Sequence, residues 1–495
     1  MYLLGIDIGT SSVKVSVVEV STQQVIDSAV YPESEAPISS PQSGWAEQDP
    51  EQWWEFLKTA IQKIKKNAKV VLENIDAIGI AYQMHGLVMV DASQRVLRPA
   101  IIWCDSRAVG YGEKAFDAIG HQKALSHLLN SPGNFTASKL AWVKEHQPDV
   151  YKKCCKIMLP GDFIAMKLSG EISTTNTALS EGIFWDFQTN TISDDILSYF
   201  GFDASIIPNI KPVFSVHVKV SKSVASEIGL KAGTPVTYKA GDQPNNALSL
   251  NVFEPGEVAA TAGTSGVIYA VTDKVSYDPF SRINTFAHVN HQHDALIRLG
   301  VLLCVNGTGI ANAWLRRNLG ESINYAQMNE WASMVSVGSE QLYFLPFGNG
   351  AERVLGNKSI KSSLHGLDFN THSRNHICRA VQEGIAFSLK YGLDIMVESG
   401  SKPSVIRAGE ANMFLSNVFG QTLVNVTGIP VELYDTDGAK GAALAAGIGA
   451  GIYRSRNEAF QYLKKLNVLE PDTLQKEKTN MAYDMWKAKL IKEIS

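Results

Sequence analysis

Two glycine–threonine–serine turns stand half a chain apart. Gly9-Thr10-Ser11, followed by Val13, is matched by Gly263-Thr264-Ser265, followed by Val267, at a constant offset of 254 (263 − 9). Consecutive N–H groups in such a turn, joined by Thr and Ser hydroxyls, form a concave nest for an anion. One turn in each half can therefore grip a polyphosphate from two sides. A single copy reads more simply as ordinary turn chemistry; the duplication favours the phosphate reading. No GxxxxGK[ST] occurs, and no GxGxxG follows the first strand, which argues against P-loop and dinucleotide-binding enzymes.

Asp7 lies inside an apolar run, two residues before the first turn. A carboxylate there is costly unless it is paired, metal-bound or hydrogen-bonded to nearby backbone. Beside a polyphosphate its natural partner is Mg²⁺, held through water. Asp242, in Lys239-Ala240-Gly241-Asp242-Gln243-Pro244-Asn245-Asn246, reads as a loop residue placed just before the second half. A carboxylate at the mouth of an interdomain cleft is placed to accept a hydroxyl proton during phosphoryl transfer. His85 is either a reader of a sugar hydroxyl or a core histidine. His288, His291 and His293 match no standard zinc spacing and read as β-hairpin residues.

The elements that position these groups follow from periodicity. Val13, Val15 and Val17 alternate with Lys14 and Ser16, which predicts a strand with one buried face, paired through the turn with Leu3–Ile8. The second copy predicts the same hairpin. Asp49-Pro50-Glu51-Gln52 opens an amphipathic helix running to Lys69, with Asp49 as N-cap and Gln52 completing a capping-box-like pattern. Strands are expected over Ile75–Ala81, ending at Gln83-Met84-His85-Gly86, and over Val96–Trp103, ending at Cys104-Asp105-Ser106-Arg107. Chemistry just past strand ends is common in open α/β sheets. Further on, a helix is expected over Thr371–Val397, strands over Val405–Gly409 and Val424–Tyr434, and a small-residue helix over Gly438–Ile452. Glu477–Ile494 reads as a surface helix, and Phe253–Gly256 as a linker.

The 495 residues accommodate about three average domains, or two of ~240, and a repeat at half-chain spacing favours two related ones. A formal charge of −4, with 45 basic and 49 acidic residues, suggests no nucleic-acid surface. An apolar fraction of 45% describes an ordinary globular core. Five scattered cysteines without a CxxC pair support neither a disulfide framework nor structural zinc. No basic leader and no apolar run of about 20 residues occurs, so the expectation is a cytoplasmic protein without a membrane partner.

With these residues in place, the chain resembles the FGGY family of carbohydrate kinases over almost its full length. Gly133-Asn134-Phe135-Thr136-Ala137-Ser138-Lys139-Leu140-Ala141-Trp142 is similar to the first family signature, and Gly366-Leu367 through His376-Ile377 to Ala380-Val381-Gln382-Glu383 to the second. Asn134 and Gln382 depart from the usual residue types. Met84-His85-Gly86 and Asp242-Gln243-Pro244-Asn245-Asn246 resemble the branch acting on D-xylulose, whereas glycerol-specific members carry an Arg-Glu pair at the first position.

The resemblance implies an α/β, actin/hexokinase-like fold. Two duplicated ribonuclease-H-like domains, over 1–246 for sugar and 255–495 for nucleotide, would flank an interdomain cleft. It implies ATP and Mg²⁺, a ketopentose phosphorylated at O5, and a possible homodimer. Carried over by position, Asp242 is the proton acceptor, while Met84, His85 and Gln243 contact sugar. Thr10, Ser11, Gly263 and Thr264 hold phosphates, and Gly309, Gly409 and Asn412 lie along the nucleotide. Arg407-Ala408-Gly409-Glu410-Ala411-Asn412 departs from the usual Gly-Gly-Gly adenosine loop. The alternatives are a kinase for another sugar or polyol of the ribulose type, and a non-catalytic actin-like nucleotide switch.

Overall fold

The computed structural model describes residues 1–292 and 295–495. Two compact units emerge, and neither is continuous. The first comprises Met1–Asn251, Phe286–Ile297 and Thr436–Leu463; the second comprises Val252–Thr285, Arg298–Asp435 and Lys464–Ser495. The longest segment of the first unit ends at Asn251. The later returns to the first unit have no marker in composition. Phe253–Gly256 is a packed turn rather than a loose linker: Phe253 is buried and its N–H donates to Glu257.

The first unit is built on a six-stranded sheet in the order Phe214–Lys219, Pro235–Gly241, Ile75–Tyr82, Tyr2–Ile8, Val13–Glu19, Val25–Tyr31. The three middle members, Pro235–Gly241, Ile75–Tyr82 and Tyr2–Ile8, run parallel; the outer pairings are antiparallel. Alternation along Tyr2–Ile8 sends Leu4, Ile6 and Ile8 to one face, where the helix Pro50–Asn67 contributes Trp53, Leu57 and Ile61 to a common core. Leu3, Gly5 and Asp7 face the other way. That face is covered by the helix Gly438–Gly449, so Ser16 is buried as well and the strand is not half-exposed as its alternation suggested.

Small residues make the covering possible. A Cβ on Gly5 would lie 1.8 Å from the Ala439 carbonyl oxygen, and one on Gly79 would lie 1.9 Å from that of Ala442. The helix backbone rests directly on the strands, a distance that only glycine in the strands permits.

The second unit repeats the plan. Its seven-stranded sheet runs Asn284–Ala287, Leu299–Val305, Gly266–Thr272, Glu257–Ala262, Val405–Gly409, Val431–Tyr434, Lys465–Leu469. Beyond its first strand, the pairing sequence is antiparallel, antiparallel, parallel, parallel, antiparallel, as in the first sheet read from Val25–Tyr31. The duplication inferred from two turns thus extends over six strands per sheet.

Several elements differ from expectation. Val96–Trp103 is not one strand: Val96 bridges Val90 while Ala100–Ile101 pairs with Glu47–Gln48, and Pro99 between them lacks the N–H a continuous ladder needs. Val424–Thr427 ends a helix, Asn417–Thr427, closed by Gly428 at φ 71°, before the strand Val431–Tyr434 begins. Asp49 caps its helix by accepting the Glu51 N–H rather than through the pairing suggested for Gln52. The long second-half helix spans Arg374–Glu398. The last helix, Thr473–Ile494, is not a mere surface element: Trp486 and Leu490 are fully buried, and the Trp486 indole N–H donates to the Phe344 carbonyl at 2.8 Å. No helix among the described residues is long and apolar enough to cross a membrane.

Candidate active site

In the first unit, Ile8 pairs with Tyr82 and Tyr82 with Gly241, so three parallel strands end side by side. Their ends carry the Gly9-Thr10-Ser11 turn, the segment Gln83–Gly86 and Asp242. The candidate residues of this half are therefore brought to one sheet edge, where open α/β sheets place ligands.

Asp242 is not in a loop. It is the first residue of a helix, Asp242–Ser249, that begins as the strand ends. Pro244 fits there because the N–H groups of a first helical turn have no intrahelical acceptor. The Gln243 amide donates to Asp242 Oδ2 at 3.1 Å. Burial pushes the Asp242 carboxyl up to about 6, against hydrogen bonds from Gln243 and the Met84 main chain that favour the ionised form. A Cβ on Gly241 would come within 2.5 Å of Met84 Cγ, so glycine lets Asp242 and the Met84 side chain share this corner.

Asp7 sits where the strand meets the N-terminus of Gly438–Gly449; a Cβ on Gly438 would lie 2.1 Å from Asp7 Oδ2. Its carboxyl is pushed up to about 7, first by burial, then by the charges of Asp242 and Asp437, with Lys14 opposing. Asp437 caps the helix through the Lys440 N–H and pairs with Lys14 at 2.9 Å. The Asn245 amide donates to the Gly438 carbonyl at 2.9 Å, tying the Asp242 helix to the same point. Asp7 thus feels two further carboxylates, Asp242 and Asp437, and one lysine. No group of three His, Cys, Asp or Glu side chains among the described residues is arranged to hold a metal directly. An excess of acidic charge without a direct cage suits a cation kept at one remove by water.

Met84 is buried, and His85 adopts φ 60°. The imidazole packs edge-on to Phe135, with ring centroids 4.8 Å apart, and against Phe286 at 5.3 Å. Thr10 is more committed than its sequence context implies. Its hydroxyl lies 3.2 Å from Gln83 Oε1 and accepts from the Trp103 indole N–H at 2.9 Å, while its carbonyl accepts from Gln48 at 2.7 Å. What the turn offers an anion is therefore mainly its backbone N–H groups and exposed Ser11.

In the second unit, the turn at Gly263-Thr264 meets the start of the helix Gly309–Leu319. The Gly309 N–H donates to the Gly263 carbonyl at 2.9 Å and that of Ile310 to Thr264 at 3.0 Å. A Cβ on Gly309 would lie 2.1 Å from the Gly263 oxygen. Gly409 ends the parallel neighbour strand, and Asn412, at φ 55°, brings its amide 3.7 Å from the place of a Gly263 Cβ. All five nucleotide-side residues assigned to this half lie together.

Sequence reasoning passed over Trp103, Lys14, Asp437, Glu181 and any role for Lys139. Asp437 was findable as the N-cap of a small-residue helix, and Lys139 stood inside a family signature; Glu181 had no local signal. His288 and His291 are buried beside the strand Asn284–Ala287, while His293 lies outside the described residues.

Comparison with known proteins places this geometry. The chain is 28% identical over 494 residues to the xylulose kinase of Bacillus subtilis (strain 168), covering 98% of this chain and 96% of that one. It is 30% identical over 450 residues to the xylulose kinase of Escherichia coli (strain K12), covering 90% and 88%. The crystal structure of xylulose kinase from Rhodospirillum rubrum superposes with a TM-score of 0.88 at 25% identity, over 99% of each chain. The N-terminal and C-terminal domains of one family match residues 2–249 and 258–450. With two repeated ribonuclease-H-like sheets and acids at the strand ends, the chain is an actin/hexokinase-like enzyme and belongs to the FGGY family of carbohydrate kinases.

Proposed function

We propose that the protein transfers the γ-phosphoryl group of ATP to O5 of D-xylulose, with Asp242 as the proton acceptor. The observation that carries the reading is the Asp242 carboxyl at a strand end beside Met84 and His85, raised by burial to about 6. A base with that value is ionised at neutral pH yet basic enough to take a hydroxyl proton as the bond to phosphorus forms. Met84, His85 and Gln243 supply the sugar contacts. Ser11 and the backbone N–H groups of the first turn receive phosphate oxygens, together with Thr10. Gly263, Thr264, Gly309, Gly409 and Asn412 serve the nucleotide. Asp7 would hold Mg²⁺ through water, with Asp437 adding charge; the ion's contribution when bound is to neutralise the polyphosphate.

The test is ADP release measured over D-xylulose, D-ribulose, L-ribulose, glycerol and gluconate, with wild type and Asp242→Asn. D-Xylulose should give the highest kcat/KM, and the variant should lose about 10²-fold or more in kcat with little change in sugar binding. A preference for ribulose or glycerol would replace the substrate. Near-normal turnover by Asp242→Asn would overturn the base, and nucleotide binding without turnover on any sugar would favour a switch.

A further inference from the structure

His85 has an unusual backbone for a residue with a side chain, and two ionisable side chains, both buried, hold it there. At φ 60° it lies in the left-handed region, which a non-glycine residue keeps only when its surroundings fix it. Its N–H donates to Glu181 Oε2 at 3.1 Å, and its carbonyl accepts from Lys139 Nζ at 2.7 Å. Its Nδ1 lies 2.9 Å from the Glu181 carbonyl oxygen. Glu181 is fixed in turn by the Tyr82 hydroxyl, which donates to Oε1 at 3.0 Å.

Glu181 is 2% exposed and Lys139 0%. Side chains of these types are almost never so buried unless paired. Among the described residues Lys139 makes no ion pair, and the bond it makes is to the main-chain oxygen of His85. An apolar residue would fill either place without desolvating a charge. Burial lowers Lys139 to about 7 and raises the Glu181 carboxyl well above the usual carboxylate range; what the two side chains add is capture of both polar main-chain atoms of a single strained residue. A carbonyl can only accept, so the nitrogen facing it, Nδ1, carries the proton of a neutral imidazole. Nε2 is then an acceptor.

We propose that Lys139 and Glu181 are positioning residues for sugar recognition: from opposite sides they hold the His85 main chain in its left-handed turn, so that the imidazole meets a substrate hydroxyl with Nε2 as acceptor. The inference rests on the reading of His85 as a sugar contact.

Steady-state kinetics of the full-length enzyme test it, with D-xylulose and ATP varied separately, for Lys139→Met, Glu181→Leu, Glu181→Gln and Tyr82→Phe, each alone and in a His85→Ala background. Lys139→Met and Glu181→Leu should each raise the sugar KM by about tenfold, the scale of one lost buried hydrogen bond, with the ATP KM unchanged. Glu181→Gln should recover most of the loss, because its amide oxygen still accepts the His85 N–H. With His85→Ala present, the same substitutions should cost little more, since the groups act through a ring no longer there. Equal losses in both backgrounds would show a merely structural role and overturn the proposal. Should the two apolar replacements fail to fold, Tyr82→Phe decides by the same cycle, as it removes only the hydroxyl that fixes Glu181. A sugar KM unchanged by His85→Ala would instead overturn the sugar-contact reading itself.

Discussion

At neutral pH the two acids at the strand ends stand at different points of their titrations, Asp242 at about 6 and Asp7 at about 7. The ordering suits the roles proposed for them: Asp242, the proposed proton acceptor, is mostly ionised, while Asp7, beside Asp437 and Asp242, stays half protonated. Both values are raised from 3.8. The folded chain therefore binds more protons than the unfolded one between pH 3.8 and about 7, and this pair's contribution to stability falls as pH rises through that window. Asp7→Asn removes the larger part of the penalty. It should stabilise the protein by on the order of 1–2 kcal/mol at pH 8 and by clearly less at pH 5, while lowering kcat. Melting temperatures at the two pH values check this; a gain independent of pH would mean the Asp7 charge is not the cause.

The helix Gly309–Leu319 starts in contact with the turn it serves, and a single methyl should separate them. Gly309→Ala places a Cβ 2.1 Å from the Gly263 oxygen, so the helix start or the turn must move. A shift near 1 Å at a binding loop costs up to about 10²-fold, and the ATP KM should rise at least tenfold while the sugar KM holds. Equal changes in both would contradict the assignment of this turn to nucleotide. Elements of this kind were legible in the sequence where local chemistry decides them: the two hairpins, the Pro50 helix start and the small-residue helix. Asp242 was legible as a residue but not as the start of a helix, because Gly241, Pro244 and two asparagines are turn formers that a sheet edge can recruit as a first helical turn. Glu181 was illegible. Its importance lies in a bond to His85, 96 residues away, and nothing within its own segment announces that.

Across the whole chain, the first unit depends on a segment that lies far from it in sequence. The helix Gly438–Gly449 covers Gly5 and Gly79 and forms the wall against which Asp7 stands. A fragment of residues 1–251 should therefore retain strands and helices by far-UV circular dichroism but melt without cooperativity and bind a hydrophobic dye, and a peptide of residues 436–463 should restore a cooperative transition. A sharp melt of the fragment alone would show that the covering helix is dispensable. The same discontinuity bears on how the protein is made. About 200 residues separate Asn251 from Gly449, and at roughly 5–20 residues per second their synthesis takes ~10–40 s. For that interval the nascent first unit has its sheet but not its lid, with a glycine-lined apolar face open to any strand or helix nearby. The second unit's main segments emerge within the same interval. Vectorial synthesis thus reverses the usual order, in which the N-terminal domain is finished first, and leaves that face of the ribosome-bound chain uncovered until residues 436–463 appear.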